Sequence, residues 1–324
     1  MKKPTAPIVI PSPKEQIHLF GYDKYFKYFT SLFLNNKIPN CILLSGPKGL
    51  GKATFAYHFI NSLLSKNEEK PYVLENYMIN KDNLSYKLMN SGIHPNFFLI
   101  DNKNYDKEIK IEQIRQLLIF LNKSTYSRNL KIILIDNVEN LNLSSANALL
   151  KSLEEPNNNT FFIIIHNNSF KLLETIKSRT TEFKISFSKN EKEETFHKII
   201  KQNNIKNITN DLNESLHFDT PGNIIKYLLA LNTKNQDLNN SNIDNALFFI
   251  EKYINDKSYE TLSFLKLFIE KFYYYLFLNN KDKINNYFYN YMKILKQIDN
   301  MRRFNLDEKN TFISVKNLLI NEKR

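Results

Sequence analysis

The residues with the clearest chemical potential form the stretch GPKGLGKAT, which begins at Gly46. Gly46, followed after four residues by Gly51 and Lys52, has the spacing of a phosphate-binding loop, in which backbone N–H groups surround phosphate and the lysine contacts the outer phosphates. The next position normally supplies a hydroxyl ligand to magnesium, but it is Ala53 here. Thr54 is a poor replacement, because one step along a helix turns a side chain by about 100°. An ordinary glycine turn is the alternative interpretation.

A second candidate site follows the apolar run KIILI at 131–135. This predicted strand ends in Asp136, as a Walker B strand does, where the carboxylate reaches toward magnesium. The following position normally carries the acid that orients the attacking water, but Asn137 cannot accept a proton. Glu139 is predicted to lie just past the strand, where it does not replace that acid. For Asp136 alone, a solvated strand end is the alternative.

A third group of polar residues follows the apolar run TFFIII at 160–165. Asn167 stands where a side chain could sense a terminal phosphate, and a predicted helix over 169–179 then ends at Arg179. Lysine would serve the negative end of a helix equally well. Because only six residues of this lysine-rich chain are arginine, we interpret Arg179 as kept for its fork-shaped guanidinium. The predicted nucleotide contacts are Gly46, Lys48, Gly49, Gly51, Lys52, Ala53, Thr54, Asp136 and Asn167.

Other candidate sites are weaker. The stretch Thr220-Pro221-Gly222-Asn223 opens a predicted helix, where an arginine would close on phosphates and Asn223 cannot; we interpret it as a simple interhelical turn. The histidines show no metal-ligand spacing, and Cys41 is the only cysteine, so no metal site and no internal disulfide are expected.

The elements that must position these residues alternate between apolar strands and helices up to residue 187. This alternation predicts an α/β domain with a parallel sheet covered on both faces. Helices are predicted over 23–36, 53–64, 110–122 and 144–155, the last with Ser144 as its cap, and residues 65–81 are predicted to form a loop. A small helical lid is predicted over 188–236, with a polar linker at 232–242, and an all-helical domain of four longer helices over 237–324.

Composition narrows the class of protein. The chain has 324 residues, of which 42% are hydrophobic, so it is long enough for two or three globular domains. Its net charge of +12 suggests an acidic partner such as nucleic acid, although a chain-wide bias toward lysine explains the charge equally well. No apolar stretch has the length of a signal peptide core or a membrane span, and we predict a soluble cytoplasmic protein.

These motifs together resemble the clamp-loader AAA+ ATPases, and more narrowly the delta-prime subunits of bacterial DNA polymerase III. The most specific segment is ANALLKSLEEP at 146–156, and the resemblance is dense over residues 40–187. The C-terminal third resembles the family only in length and helical character. The resemblance implies an AAA+ P-loop domain, a helical lid and a C-terminal collar that joins the subunits of a hetero-oligomer.

The family also implies a function and partners. It implies a rigid stator in a loader that uses ATP to open the sliding clamp and place it on primed DNA. The implied partners are motor ATPase and delta-like subunits, contacted through the collar and the Arg179 face, with the clamp and primer–template DNA reached through the complex. Arg179 falls on the family's Ser-Arg-Cys motif, whose arginine acts in trans on the adjacent motor subunit, and Thr180 replaces the cysteine.

The resemblance bears on cofactors as well. Delta-prime subunits commonly do not hydrolyse ATP. Any ATP binding by this chain is therefore expected to be weak or vestigial, without strong magnesium binding. Many relatives hold zinc on four cysteines between the two Walker motifs; this chain has none there, so zinc is not expected and the 65–92 segment must be organised differently.

Two other functions stay open at this level. The chain could be an active AAA+ motor subunit, with a water or Thr54 completing the magnesium shell. It could instead be a stand-alone basic DNA-binding protein. Ala53, Asn137 and Asn223 together favour an inactive centre and no intrinsic ATPase activity.

Overall fold

The computed structural model describes residues 10–101, 108–123, 130–157, 159–168, 172–203, 205, 219–232 and 242–322. The chain forms two compact units, Met1–Lys226 and Tyr227–Arg324. The first unit therefore contains the sheet and the start of the predicted lid. The predicted three-domain division stays a prediction, because its boundary at 236 and most of the predicted linker lie outside the described residues.

The first unit is built on one sheet of five parallel strands. In chain order the strands are β1 (Cys41–Ser45), β2 (Phe97–Ile100), β3 (Lys131–Ile135), β4 (Thr160–His166) and β5 (Thr181–Lys184). Their spatial order is β2-β3-β4-β1-β5, and all four pairings are parallel. This sheet confirms the predicted α/β class, although β5 ends three residues before the predicted limit at 187.

Helices of the first unit largely follow the predicted pattern. They are α1 (Asp23–Leu34), α2 (Lys52–Leu64), α3 (Leu84–Ser91), α4 (Ile111–Asn122), α5 (Leu143–Glu154), α6 (Glu174–Lys177), α7 (Lys189–Gln202) and α8 (Pro221–Asn232), of which α8 continues into the second unit. Helix α3 was not predicted.

Two predicted helix boundaries are wrong. Helix α5 begins at Leu143 rather than Ser144, because the Asn142 side chain accepts a hydrogen bond from the Ser145 backbone N–H at 2.9 Å and so acts as the cap. The described part of the predicted 169–179 helix is only the single turn α6, because Leu173 is extended; residues 169–171 lie outside the described part.

Both faces of the sheet are buried, which explains why its strands are continuous apolar runs. Ile42 and Leu44 of β1 pack in the same core as α1 and α2, whereas Leu43 between them packs with α4 and α5. The first of these cores is rich in aromatic side chains, and the ring centroids of Tyr22 and Phe55 lie 4.9 Å apart. These contacts hold α2, which follows the glycine loop, firmly against the sheet.

The segment over residues 65–92 is organised by buried polar side chains. Asn61 of α2 and Asn83, both about 1% exposed, exchange side-chain hydrogen bonds at 3.3 and 3.1 Å. Asn83 also caps α3 by accepting from the Tyr86 backbone N–H at 2.6 Å. Because buried amides need partners, this pair fixes the start of α3 against α2.

Two further polar groups complete this arrangement. The Glu68 carboxylate accepts hydrogen bonds from the Leu84 and Ser85 backbone N–H groups at 2.7 and 3.0 Å, at the positive end of α3. The buried His58 ring bridges the Tyr72 hydroxyl and the Gln16 carbonyl, and burial lowers its pKa to about 3. A neutral His58 that donates to the carbonyl and accepts from the hydroxyl satisfies both contacts.

The second unit is helical throughout its described residues, as predicted. After the end of α8 it contains α9 (Asn242–Asp256), α10 (Tyr259–Asn279), α11 (Ile284–Arg303) and α12 (Glu308–Glu322). Its core includes Phe249 and Phe268, whose rings stack at 5.4 Å. Near the turn between α10 and α11, four large apolar side chains are each more than half exposed: Tyr275, Leu278, Phe288 and Tyr289. None of the described helices is both long and apolar enough to cross a membrane.

The Asn61–Asn83 pair gives a test of how the 65–92 segment is held. Asn83→Ala removes a helix cap and also leaves the buried Asn61 amide without its partner, so we expect a loss of about 2–4 kcal/mol in the free energy of unfolding. Asn142→Ala is the matched control, since it removes the cap of α5 at a less buried site, at about 1 kcal/mol. Urea denaturation of the full chain measures both, and equal losses would contradict a stabilising role for the amide pair.

Candidate functional site

The glycine loop joins β1 to α2 with the backbone that its sequence requires. Gly51 is the cap residue of α2 and has a φ of 90°, in the left-handed region that favours glycine. Gly49 has a φ of 86°, and a Cβ atom there would lie 2.2 Å from the Thr220 hydroxyl oxygen. The predicted strand–loop–helix context is thus present, and glycine at position 49 permits close approach of another segment.

Lys52 is turned onto the loop itself. Its ammonium donates hydrogen bonds to the Gly46 and Pro47 carbonyls at 2.8 Å each, and the residue is 3% exposed. Burial lowers the pKa of Lys52 to about 8, an effect that the Asp136 and Glu139 carboxylates partly offset. The cation predicted to contact phosphates is therefore a structural donor in this arrangement.

The loop's next three carbonyls are also hydrogen-bonded. The Thr220 hydroxyl donates to the Lys48 carbonyl at 2.8 Å, and the Gly222 backbone N–H donates to the Gly49 carbonyl at 3.0 Å. The Tyr22 hydroxyl donates to the Leu50 carbonyl at 3.2 Å. Every carbonyl from residue 46 to residue 50 thus accepts a hydrogen bond, as buried backbone normally requires.

The turn at residues 220–223 is therefore more than an interhelical turn, and that interpretation was wrong. It packs directly on the glycine loop through Thr220 and Gly222. Asn223 holds the turn together, because its amide donates to the Asp219 carboxylate at 2.7 Å, and the same oxygen accepts from the Thr220 backbone N–H at 2.7 Å. The sequence signal was the rarity of glycine: Gly222 lies against Gly49, where any Cβ would collide.

The end of β3 carries an acid with a perturbed pKa. Burial raises the pKa of Asp136 to about 6, the nearby Glu139 carboxylate adds to the rise, and Lys52 opposes it. Two carboxylates and one ammonium thus influence one another at the end of β3 and the start of α2. A charged group kept where burial disfavours it is typical of a functional site or its remnant.

Asn137, which follows Asp136 in the sequence, forms a polar contact with Asn167. Asn137 has a φ of 58°, and its side-chain oxygen accepts from the Asn167 amide at 2.6 Å. The Asn167 backbone N–H donates to the Glu139 carboxylate at 3.4 Å. Asn167, predicted to sense phosphate, therefore bonds to the position where the catalytic acid would stand. Sequence reasoning missed that Glu139 takes part in this site.

The residues present do not fit a hydrolytic centre that holds magnesium and ATP. Ala53 supplies no ligand, Asn137 no base, and Lys52 is bonded to the loop. Among the described residues, no group of three or more His, Cys, Asp or Glu side chains is arranged to hold a metal ion.

Arg179 lies just after α6, and its hydrogen bonds join it to α5 and α6 rather than to the loop. Its Nε donates to a Glu154 carboxylate oxygen at 2.6 Å, and one terminal nitrogen donates to the Thr175 carbonyl at 2.9 Å. The side chain is 30% exposed and lines an open groove of about 600 Å³ with Leu153, Glu154 and residues 178–181. The guanidinium is thus partly fixed and still reachable from outside.

The pKa of Asp136 predicts a pH-dependent stability. Its folded pKa of about 6 exceeds the ordinary 3.8, so the folded chain holds the proton more tightly, and stability falls as pH rises through this interval. Asp136→Asn cannot ionise and should gain roughly 1–3 kcal/mol near pH 7.5, with little gain near pH 4.

The control is Asp82→Asn, because a hydrogen bond from Lys70 lowers the pKa of the exposed Asp82 and reverses the sign. Denaturant unfolding at the two pH values measures both variants. A loss of stability in Asp136→Asn at neutral pH would contradict the predicted penalty.

Comparison of the sequence with known proteins identifies the family of this chain. The profile of the family described as DNA polymerase III, delta subunit, matches residues 21–190, just over half of the chain. A DNA polymerase III subunit delta' of Pseudomonas aeruginosa is 33% identical over 140 residues, which are 43% of this chain and 41% of that protein. A subunit delta' of Buchnera aphidicola (from Schizaphis graminum) is 29% identical over 199 residues, 61% of this chain and 58% of that protein.

A subunit gamma of the same Buchnera is 30% identical over 174 residues, 54% of this chain and 46% of that protein. The chain thus matches about half the length of these curated relatives. Because the profile covers more than half of the chain and delta-prime proteins are among its relatives, the chain belongs to the delta-prime family of DNA polymerase III subunits.

Proposed function

We propose that this chain is a stator subunit of a DNA polymerase III clamp loader in the cytoplasm. In this proposal it supports ATP-driven loading of the sliding clamp onto primed DNA while its own nucleotide site is vestigial. It supplies Arg179 in trans to a neighbouring ATPase subunit. The observation that carries the proposal is the Lys52 ammonium, which donates hydrogen bonds to the Gly46 and Pro47 carbonyls of its own loop.

The remaining features of the loop support a vestigial site. Hydrogen bonds from Thr220 and Gly222 hold the turn at residues 220–223 directly against the loop. A nucleotide would have to compete with the Gly46 and Pro47 carbonyls for the Lys52 ammonium. The methyl group of Ala53 would offer no ligand to the magnesium ion that accompanies the nucleotide. A loop ordered in this way suits a subunit that keeps one shape while its neighbours change.

Arg179 suits a role in a neighbour's centre. Charge spreads over the phosphoryl oxygens in the transition state, and a planar guanidinium stabilises it with paired hydrogen bonds. An arginine supplied in trans is worth on the order of 10³–10⁵ in rate. The open groove beside Arg179 leaves its guanidinium within reach of another subunit.

The second unit offers a surface for assembly. Tyr275, Leu278, Phe288 and Tyr289 expose apolar area near one turn, and such area commonly marks a protein contact. We propose that this helical unit joins the motor and delta-like subunits as a collar. The net charge of +12 favours proximity to primer–template DNA within the complex.

Arg179→Ala tests the proposed role directly. In a loader reconstituted from motor, delta-like and delta-prime subunits, we expect ATP hydrolysis stimulated by clamp and primed DNA to fall by at least about tenfold, because a neighbour's transition state loses its guanidinium. Arg115→Ala is the matched control, since Arg115 is an exposed arginine of α4 paired with Glu112. Assembly, followed by gel filtration, should be unchanged in both complexes. Hydrolysis at the wild-type rate with Arg179→Ala would refute the trans role.

A nucleotide titration separates a stator from an active motor subunit. For the purified full chain, with and without magnesium, we expect no ATP turnover and no gain in affinity from magnesium, because Ala53 provides no ligand. Turnover by the purified chain that disappears in Lys52→Ala would instead establish the motor alternative.

A further inference from the structure

We propose that Glu154 is the positioning residue for Arg179, holding its guanidinium in the orientation in which it meets a neighbour's phosphate. The inference rests on the proposed trans role and adds to it a second residue, on a different helix. Glu154 does not touch the nucleotide in this proposal; it acts through Arg179.

The geometry of the pair carries the first step. The Glu154 carboxylate oxygen accepts from Nε of Arg179 at 2.6 Å and also pairs with a terminal nitrogen of the same guanidinium. The other terminal nitrogen donates to the Thr175 carbonyl at 2.9 Å and lies 3.3 Å from the Ser178 hydroxyl oxygen. Two elements, α5 and α6, therefore fix the plane of the guanidinium from two sides.

The described contacts hold the Arg179 guanidinium in place but do not occupy all of its N–H donors. It has five N–H donors, and the described contacts with Glu154, Thr175 and Ser178 number four, of which the one to Ser178 is long. The side chain remains 30% exposed beside an open groove. A phosphate entering the groove can therefore meet an oriented fork and displace only the weakest contact.

The position of Glu154 is unfavourable on local grounds alone. It is the last residue of α5, where the helix dipole disfavours a carboxylate, and another acid, Glu155, follows it. Arg179 offsets this penalty from 25 residues away in sequence. A long arginine side chain otherwise loses substantial rotamer freedom when it binds phosphate, and a partner that restrains it beforehand reduces that loss.

The isolated chain tests the positioning itself. Because the chain has only six arginines, full-length protein labelled with ¹⁵N-arginine gives a simple Nε–H spectrum, in which Arg179→Lys identifies the Arg179 signal. We expect the Nε–H proton of Arg179 to exchange with water about fivefold faster in Glu154→Ala, and by less in Glu154→Gln, which keeps an acceptor. Glu155→Ala is the matched control and should leave the signal unchanged. An unchanged signal in Glu154→Ala would overturn the proposal.

The reconstituted loader tests whether positioning matters for hydrolysis. Glu154→Ala should lower kcat about fivefold with little change in KM, and the loss should vanish when Arg179 is already alanine, because both changes remove one unit. Losses that multiply would show that Glu154 acts elsewhere and would overturn the proposal. Melting temperatures of each variant exclude a general loss of structure.

The two proposals fail in different ways. If Arg179→Ala lowers hydrolysis but Glu154→Ala does not, the positioning role is refuted and the trans role stands. If Arg179→Ala has no effect, the trans role is refuted together with any effect of Glu154 on hydrolysis through Arg179. In both cases the exchange rate of the Arg179 Nε–H still reports on the contact in the isolated chain.

Discussion

The buried ammonium of Lys52 is the constraint on which the site depends. A cation that is 3% exposed needs oxygen partners, and the Gly46 and Pro47 carbonyls provide them. These two hydrogen bonds close the loop on itself. Of the remaining loop carbonyls, that of Leu50 accepts from Tyr22 and that of Lys48 accepts from Thr220. The sheet, the loop and the start of α8 are thus linked by hydrogen bonds that a nucleotide-binding loop would have to reorganise. The same loop sequence can therefore keep its glycines and its lysine for shape.

Asp136 and Arg179 are ionisable side chains of the first unit that lie in contrasting environments. Asp136 is half-buried near Glu139, so its charge is disfavoured and its pKa rises, with Lys52 only partly compensating. Arg179 is instead partly exposed and paired with a carboxylate. A charge that is held in place yet reachable can serve a second molecule, as the proposed role of Arg179 requires. The contrast favours chemistry at the Arg179 face over chemistry at the loop.

Much of the fold could be predicted because it rests on local patterns. The continuous apolar runs at 131–135 and 160–165 predicted β3 and β4, and the loop spacing located α2, since these signals need only a few neighbouring residues. Helix α3 was missed because its start depends on Asn83 and on Glu68, an acid 16 residues before it. The turn at residues 220–223 was misjudged because Thr220 meets Lys48 across 172 residues of sequence. The Asn137–Asn167 contact likewise joins two strand ends, which no local pattern can show.

Helix α2 connects these observations. Its first residue, Lys52, closes the glycine loop; its middle carries Phe55 and Phe59 into the aromatic core; and its far half holds His58 and Asn61, which organise the 65–92 segment. The helix is therefore fixed at its start by a buried cation and farther along by buried amide and imidazole hydrogen bonds, with aromatic packing between. Each of these contacts is internal to the chain. In the stator role that we propose, this internally bonded framework would present Arg179 to a neighbouring subunit.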